Sequence, residues 1–139
     1  MKVEVDWAGG IAFEANADSG HKVMMDASPA AGGENKGARP MELLLMGLGG
    51  CSSIDVILML KKSRQDVTDC KCIIEAERAD AVPAVFTHIH VHFIVAGKGL
   101  STKHVERAIR LSAEKYCSAS IMLAKAVEIT HDYEVIEEG

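Results

Sequence analysis

The stretch Pro40-Met-Glu-Leu-Leu-Leu-Met-Gly-Leu-Gly-Gly-Cys-Ser-Ser-Ile-Asp-Val-Ile-Leu-Met-Leu60, followed by Lys61, Lys62 and Arg64, decides the fold. It is the longest apolar run of the chain. It is too long for one strand and lacks the period-two alternation of one. Pro40 suits a first helical turn, where its missing N–H is not needed. The basic residues at the far end suit the negative end of the helix dipole. The pattern predicts a helix from about Pro40 to about Ser63, apolar nearly all round and therefore buried on all sides. Gly47, Gly49 and Gly50 each cost helix propensity, about 1 kcal/mol against alanine. Close approach of another backbone is the expected compensation. A membrane span is the alternative by length. Glu42, Ser52, Ser53 and Asp55 within the run, and the lack of aromatic anchors at its ends, argue for a buried core helix instead.

Working outward from this helix, Val3, Val5 and Trp7 alternate with Glu4 and Asp6, which predicts a half-buried strand. Gly9-Gly10 signals a hairpin to a second strand over 11–15. Asp18-Ser-Gly20 turns the chain into a third, His21 to Asp26. This is a small antiparallel meander. Ala27 to Arg39, rich in Ala, Gly, Ser, Asn and Pro, has no period and reads as a mobile loop, a lid or entry segment. Beyond the helix, Val67 to Ala79 and Val85 to Val95 alternate on either side of the breaker Asp80-Ala-Val-Pro83, as a long hairpin does. Ser101-Thr102 signals a helix start. Val105, Ala108, Ile109, Ser112 and Tyr116 recur at helical spacing. A break at Tyr116-Cys117 leads to a second short helix from Ser118 to about Ala126. Glu128 to Val135 alternates as a last strand. No repeat or low-complexity segment interrupts the 139 residues, so a single domain over 1–139 of α+β class is expected.

Net charge of −5 and 4% aromatic residues argue against a nucleic-acid surface and base-stacking platforms. Charged residues replace the apolar segment of a signal peptide at the N-terminus, and a cytoplasmic location is expected. There, four cysteines point to redox chemistry, metal binding or burial rather than structural disulfides.

Cys51 follows the glycine patch, and Cys117 precedes a helix start, where the positive helix end lowers a thiol's pKa. Two such thiols fit an attacking and a resolving cysteine. They also fit two buried small hydrophobes. Cys70 and Cys72, two apart on one strand face, read as sheet packing. His88, His90 and His92 share a strand face at a spacing that can bind zinc or copper. No carboxylate or cysteine at regular spacing completes a site, so a partly covered polar face is expected and no metal or other cofactor is assigned. There is no phosphate-binding loop and no Ser-His-Asp order.

The Pro40-to-Cys51 run resembles the central-helix motif of the OsmC/Ohr family, osmotically inducible and organic-hydroperoxide-resistance proteins: proline, an acid, several apolar residues, small residues, then the reactive cysteine. Cys117 in Ala113-Glu-Lys-Tyr-Cys-Ser118 matches the second family cysteine. The order of elements matches over nearly the whole chain, and Cys51-Ser-Ser-Ile-Asp-Val with Phe86-Thr-His-Ile-His-Val-His-Phe93 looks most like a YhfA-like branch. The resemblance implies an intertwined homodimer with the cysteine helices at its centre. It implies reduction of hydroperoxides by Cys51 and Cys117, with an external dithiol as reductant. The family's best-studied peroxidases have an arginine in the N-terminal hairpin region and a glutamate directly after the motif proline. Here residues 1–38 contain no arginine and Met41 follows Pro40. Arg39 and Glu42 are the nearest charged residues for positioning. These departures, with Met24, Met25, Met41, Met46, Met59 and Met122 as adaptable apolar surface, keep a second reading in place. In it the chain is a catalytically weak relative that holds an apolar small molecule in the dimer cleft.

Overall fold

A computed structural model describes all residues, Met1–Gly139. Two compact units divide the chain within its long helix, at Met46 and Gly47, and are taken one at a time.

The first unit contains β1 (Val3–Trp7), β2 (Phe13–Ala17) and β3 (Lys22–Met25), paired antiparallel in the order β1-β2-β3. The meander is as expected, with β2 beginning two residues later than the alternation suggested. Its register sets Val3, Val5 and Trp7 opposite Ala17, Ala15 and Phe13, and Ala15 and Phe13 opposite Val23 and Met25. Residues directly opposite share a face, so one face of this sheet is apolar throughout. The chain leaves much of that face open: Val3, Val5 and Trp7 are 57%, 52% and 70% exposed, where a half-buried strand was expected.

The segment after β3 is pinned, against the expectation of a mobile loop. Buried Asp26 accepts hydrogen bonds from the amides of Ala27 (2.7 Å), Glu34 (3.1 Å) and Lys36 (3.1 Å). A bridge joins Met25 to Ala38, and Pro29–Ala31 forms a 3₁₀ turn. Gly33 and Gly37 fit because a Cβ there would stand 2.1 Å from the Ala27 carbonyl oxygen and 2.2 Å from that of Met24. Composition hid this, since one carboxylate does the ordering that a periodic apolar pattern would otherwise signal.

Helix α1 (Pro40–Lys62) starts with one half of a capping box. The Arg39 carbonyl accepts from the Leu43 amide, and the Arg39 amide donates to Glu42 Oε1 at 2.8 Å. At its other end Arg64 takes a left-handed conformation (φ 59°) and Gln65 N–H closes on the Leu60 carbonyl at 2.9 Å, as in a Schellman stop.

In the second unit, β4 (Asp66–Arg78) and β5 (Phe86–Lys98) form the long antiparallel hairpin, and β6 (Glu128–Glu137) joins β5 in parallel. A parallel neighbour needs a crossover. Here it is α2 (Thr102–Leu111), a widened π turn over Ser112–Tyr116 and α3 (Ser118–Leu123). The helix expected to run through Tyr116 therefore ends its α geometry at Leu111. The core is Leu48, Val56 and Leu60 from α1, Ile89, Val91, Phe93 and Val95 from β5, and Val105, Ala108 and Ile109 from α2.

Burial of α1 on all sides does not hold within one chain. Its buried residues form the single stripe Leu48, Ser52, Val56, Leu60, while Leu44, Met46, Ile54 and Leu58 are 48–63% exposed. By length and composition α1 could cross a membrane, with an 18-residue window of mean hydropathy 2.0, but that stripe packs into the fold. The expected backbone approach at the glycines is also absent within the chain. A Cβ at Gly49 would meet the Ile74 side chain at 3.0 Å, and Gly47 and Gly50 face open space.

Candidate active site

Cys51 and Cys117, 66 positions apart, are neighbours. α1 carries Cys51, half-buried, beside its buried stripe. The crossover carries Cys117, which is fully buried, at the junction of the π turn and α3. The junction is held by the Cys117 amide, which donates to the Ser112 carbonyl at 2.8 Å. Extra-wide helical turns of this kind recur at functional sites. Cys117 is itself the α3 N-cap: its Sγ accepts from the Ser120 amide at 3.3 Å.

A sequence expectation is overturned at this thiol. The helix start was to lower the Cys117 pKa, but burial pushes it above the ordinary cysteine value. Hydrogen bonds from Ser52 and the Ser120 amide oppose that rise, and the adjacent Cys51 thiol adds to it. Desolvation of a charged sulfur outweighs the hydrogen bonds that Ser52 and the first turn of α3 supply.

Polar residues that the sequence reading passed over frame the pair. Ser52 Oγ lies 3.2 Å from Cys117 Sγ. Ser112 Oγ donates to Asp55 Oδ2 (3.2 Å) and to the Ser52 carbonyl (3.4 Å). Ser52 and Ser112 are both buried, and buried hydroxyls need such partners. The available signal was Ser52 itself, a polar residue one position after Cys51 and four from buried Leu48 and Val56.

The remaining predicted residues are held by local contacts. Glu42 caps α1 through the Arg39 amide, and the Arg39 guanidinium donates to Asn35 Oδ1 (2.8 Å) and the Gly37 carbonyl (3.1 Å). Cys70 and Cys72 are half-buried on β4, with burial raising both pKa values, as packing residues should show. A cleft of about 640 Å³ between α1 and α2, lined by Asp55, Leu58, Met59, His104, Arg107 and Tyr116 among others, includes neither Cys51 nor Cys117.

On the β5 face that points away from the apolar core, His88, His90 and His92 meet residues of β6. His88 Nε2 and His90 Nδ1 approach Thr130 Oγ1 at 3.1 and 2.7 Å. His90 Nε2 and His92 Nδ1 approach Asp132 Oδ1 at 2.9 and 2.5 Å, and His92 Nε2 approaches Glu134 Oε2 at 2.8 Å. The carboxylate absent from the linear spacing is thus Asp132, supplied by parallel pairing.

The description "OsmC-like protein" belongs to the family model that matches residues 33–132, a segment containing both cysteines. This chain belongs to the OsmC-like family. It is 48% identical to Protein YhfA of Escherichia coli K12 over 136 residues, 98% of each chain. Among solved structures, a hypothetical protein from Aquifex aeolicus VF5 is 32% identical, with a TM-score of 0.87 over 99% of this chain and 97% of that one. An organic hydroperoxide resistance protein OsmC from Legionella pneumophila is 15% identical, with a TM-score of 0.73 over 96% of each chain, and shares the fold. In this OsmC-like chain the cysteine helix, the hairpin and the crossover thus follow the family's order of elements.

Proposed function

We propose that this OsmC-like chain is a thiol-dependent hydroperoxide reductase of oxidative-stress defence, with Cys51 as the attacking and Cys117 as the resolving residue. The observation carrying it is the meeting of these two thiols, one half-buried and one fully buried, across α1 and the crossover. The Cys51 thiolate attacks the terminal peroxide oxygen. The O–O bond breaks, alkoxide leaves and takes a proton, and Cys51 becomes sulfenic acid. Cys117, losing its proton as it attacks, displaces water and forms the disulfide. An external dithiol reduces it by exchange, returning both thiols. Arg39 and Glu42, at the N-terminal end of the cysteine-helix motif, are the charged candidates for positioning the peroxide.

The reading includes an obligate homodimer and a cytoplasmic location, with the whole chain acting as one OsmC-like domain. The exposed apolar residues of α1, the open apolar face of β1–β3 and the uncovered Gly47 and Gly50 support a second copy. Burying such surface is worth roughly 25 cal/mol per Å². An apolar wall made by the partner favours organic hydroperoxides over hydrogen peroxide.

One observation favours a second reading, an apolar-ligand carrier with little peroxidase activity. The Glu42 carboxylate is committed to the start of α1, and the Arg39 guanidinium to Asn35 and Gly37 in the segment before it.

Peroxide consumption with a dithiol, in wild type, Cys51→Ser and Cys117→Ser, separates the two. Cys51→Ser is expected to be inactive, and Cys117→Ser to turn over once and accumulate sulfenic acid. Wild type no faster than Cys51→Ser with several dithiols would replace the enzyme reading by the carrier reading. Native mass spectrometry of protein purified from cells would then show a retained ligand.

A further inference from the structure

The histidine face of the second sheet has no part in the thiol chemistry, yet it is the most connected polar cluster of the molecule. His90, His92 and Asp132 each offer one ligand atom, all within 4.8 Å of one another. The atoms that converge are His90 Nε2 and His92 Nδ1 on Asp132 Oδ1. The opposite ring nitrogen of each histidine is held from behind. His90 Nδ1 contacts Thr130 Oγ1 and His92 Nε2 contacts Glu134 Oε2. An N–H donated to those partners leaves a lone pair on His90 Nε2 and on His92 Nδ1, both aimed at the same place. Metal-binding histidines are oriented by this kind of outer hydrogen bond.

We propose that His90 Nε2, His92 Nδ1 and Asp132 Oδ1 bind a divalent transition-metal ion of the zinc class, with Thr130 and Glu134 orienting the two imidazoles. Two imidazoles and one carboxylate suit zinc, with water filling the fourth position. Ligand atoms around tetrahedral zinc stand about 3.3 Å apart, given bonds of 2.0–2.1 Å. The present separations of 2.5 and 2.9 Å therefore need only a small side-chain rotation to open. The surroundings attract a cation. Glu75 and Glu77 of β4 sit across from His90 and His88, and Glu128 of β6 lies 3.6 Å from His88. Asp132 and Glu134 complete the acidic border, and His131 lies behind the sheet.

Without metal, His92 bridges Asp132 and Glu134 through its two ring nitrogens. Binding requires neutral imidazoles and an ionised carboxylate, so it weakens as pH falls.

The test uses the full chain, untagged and stripped with a chelator, titrated calorimetrically with zinc chloride at neutral pH. One zinc per chain is expected. His90→Gln and His92→Gln should each weaken binding at least tenfold, and Glu134→Gln by roughly 10–100-fold. Cys70→Ser should leave the affinity unchanged. In ¹⁵N-labelled protein, zinc should shift His90 Nε2 and His92 Nδ1 while the opposite nitrogens keep their protons. Thermal unfolding of each variant verifies that it is folded, and Thr130→Val serves in place of any that is not. Binding that survives His92→Gln unchanged, or no saturable binding at tenfold excess zinc, overturns the proposal.

Discussion

Ser52 Oγ stands 3.2 Å from Cys117 Sγ, joining the residue after one cysteine to the other cysteine across 65 positions of sequence. The contact opposes the burial that raises the Cys117 pKa. Ser52→Ala is therefore expected to push that thiol higher still. A net hydrogen bond of about 1 kcal/mol corresponds to about fivefold in rate. Stopped-flow measurement of disulfide formation after one equivalent of organic hydroperoxide should show a slowing of that size, with the pH profile displaced upward. Ser52→Thr, which keeps the hydroxyl, should restore it.

Glu42 serves the start of α1 through the Arg39 amide. Glu42→Ala should cost about 1 kcal/mol in urea unfolding, the usual worth of a lost helix cap. Glu42→Gln, which can make the same bond, should retain most of it.

Asp26 holds the 27–38 segment through three backbone amides, chiefly that of Lys36, and these keep its carboxyl below the ordinary range. A depressed carboxylate pKa stabilises above the unfolded value of about 3.9 and loses that stabilisation as pH falls through the folded value. Asp26→Asn should lower the melting temperature by several degrees at neutral pH and open the segment to proteolysis. The difference from wild type should shrink as the medium is made strongly acidic.

His92 and Asp132 bracket a pH window. Hydrogen bonds donated to Asp132 and then to Glu134 raise the His92 pKa, and those from His92 and His90 lower that of Asp132. The His92 contribution is full below about pH 6.5 and lost as pH rises through its folded pKa. That of Asp132 is present above about pH 3.9 and lost as pH falls through its folded value. Proton NMR titration should find His92 charged at a higher pH than a free imidazole, and Asp132→Asn should return it toward the ordinary value.

Ile54 and Leu58 project from α1, 63% and 60% exposed in one chain. Sedimentation should show wild type as a dimer at micromolar concentration. Ile54→Lys with Leu58→Lys should abolish it, since two cations buried in an apolar contact lack partners. A stable, folded wild-type monomer would remove the proposed dimer.

The sequence by itself determined the local elements of this protein. Alternation in 3–7, 67–79, 85–95 and 128–135, and the apolar run from Pro40, located strands and central helix because period and composition are local properties. The two cysteines were also legible, from their places beside a glycine patch and a helix start. Tertiary structure alone decided what those residues meet. Parallel pairing of β6 with β5 puts Thr130, Asp132 and Glu134 beside histidines some 40 positions earlier, a register no linear spacing encodes. The crossover carries Cys117 to Cys51 and buries it, so desolvation overrides the helix effect that sequence suggested. Asp26 orders a segment that composition reads as loop, because its hydrogen bonds go to backbone amides, which every sequence possesses.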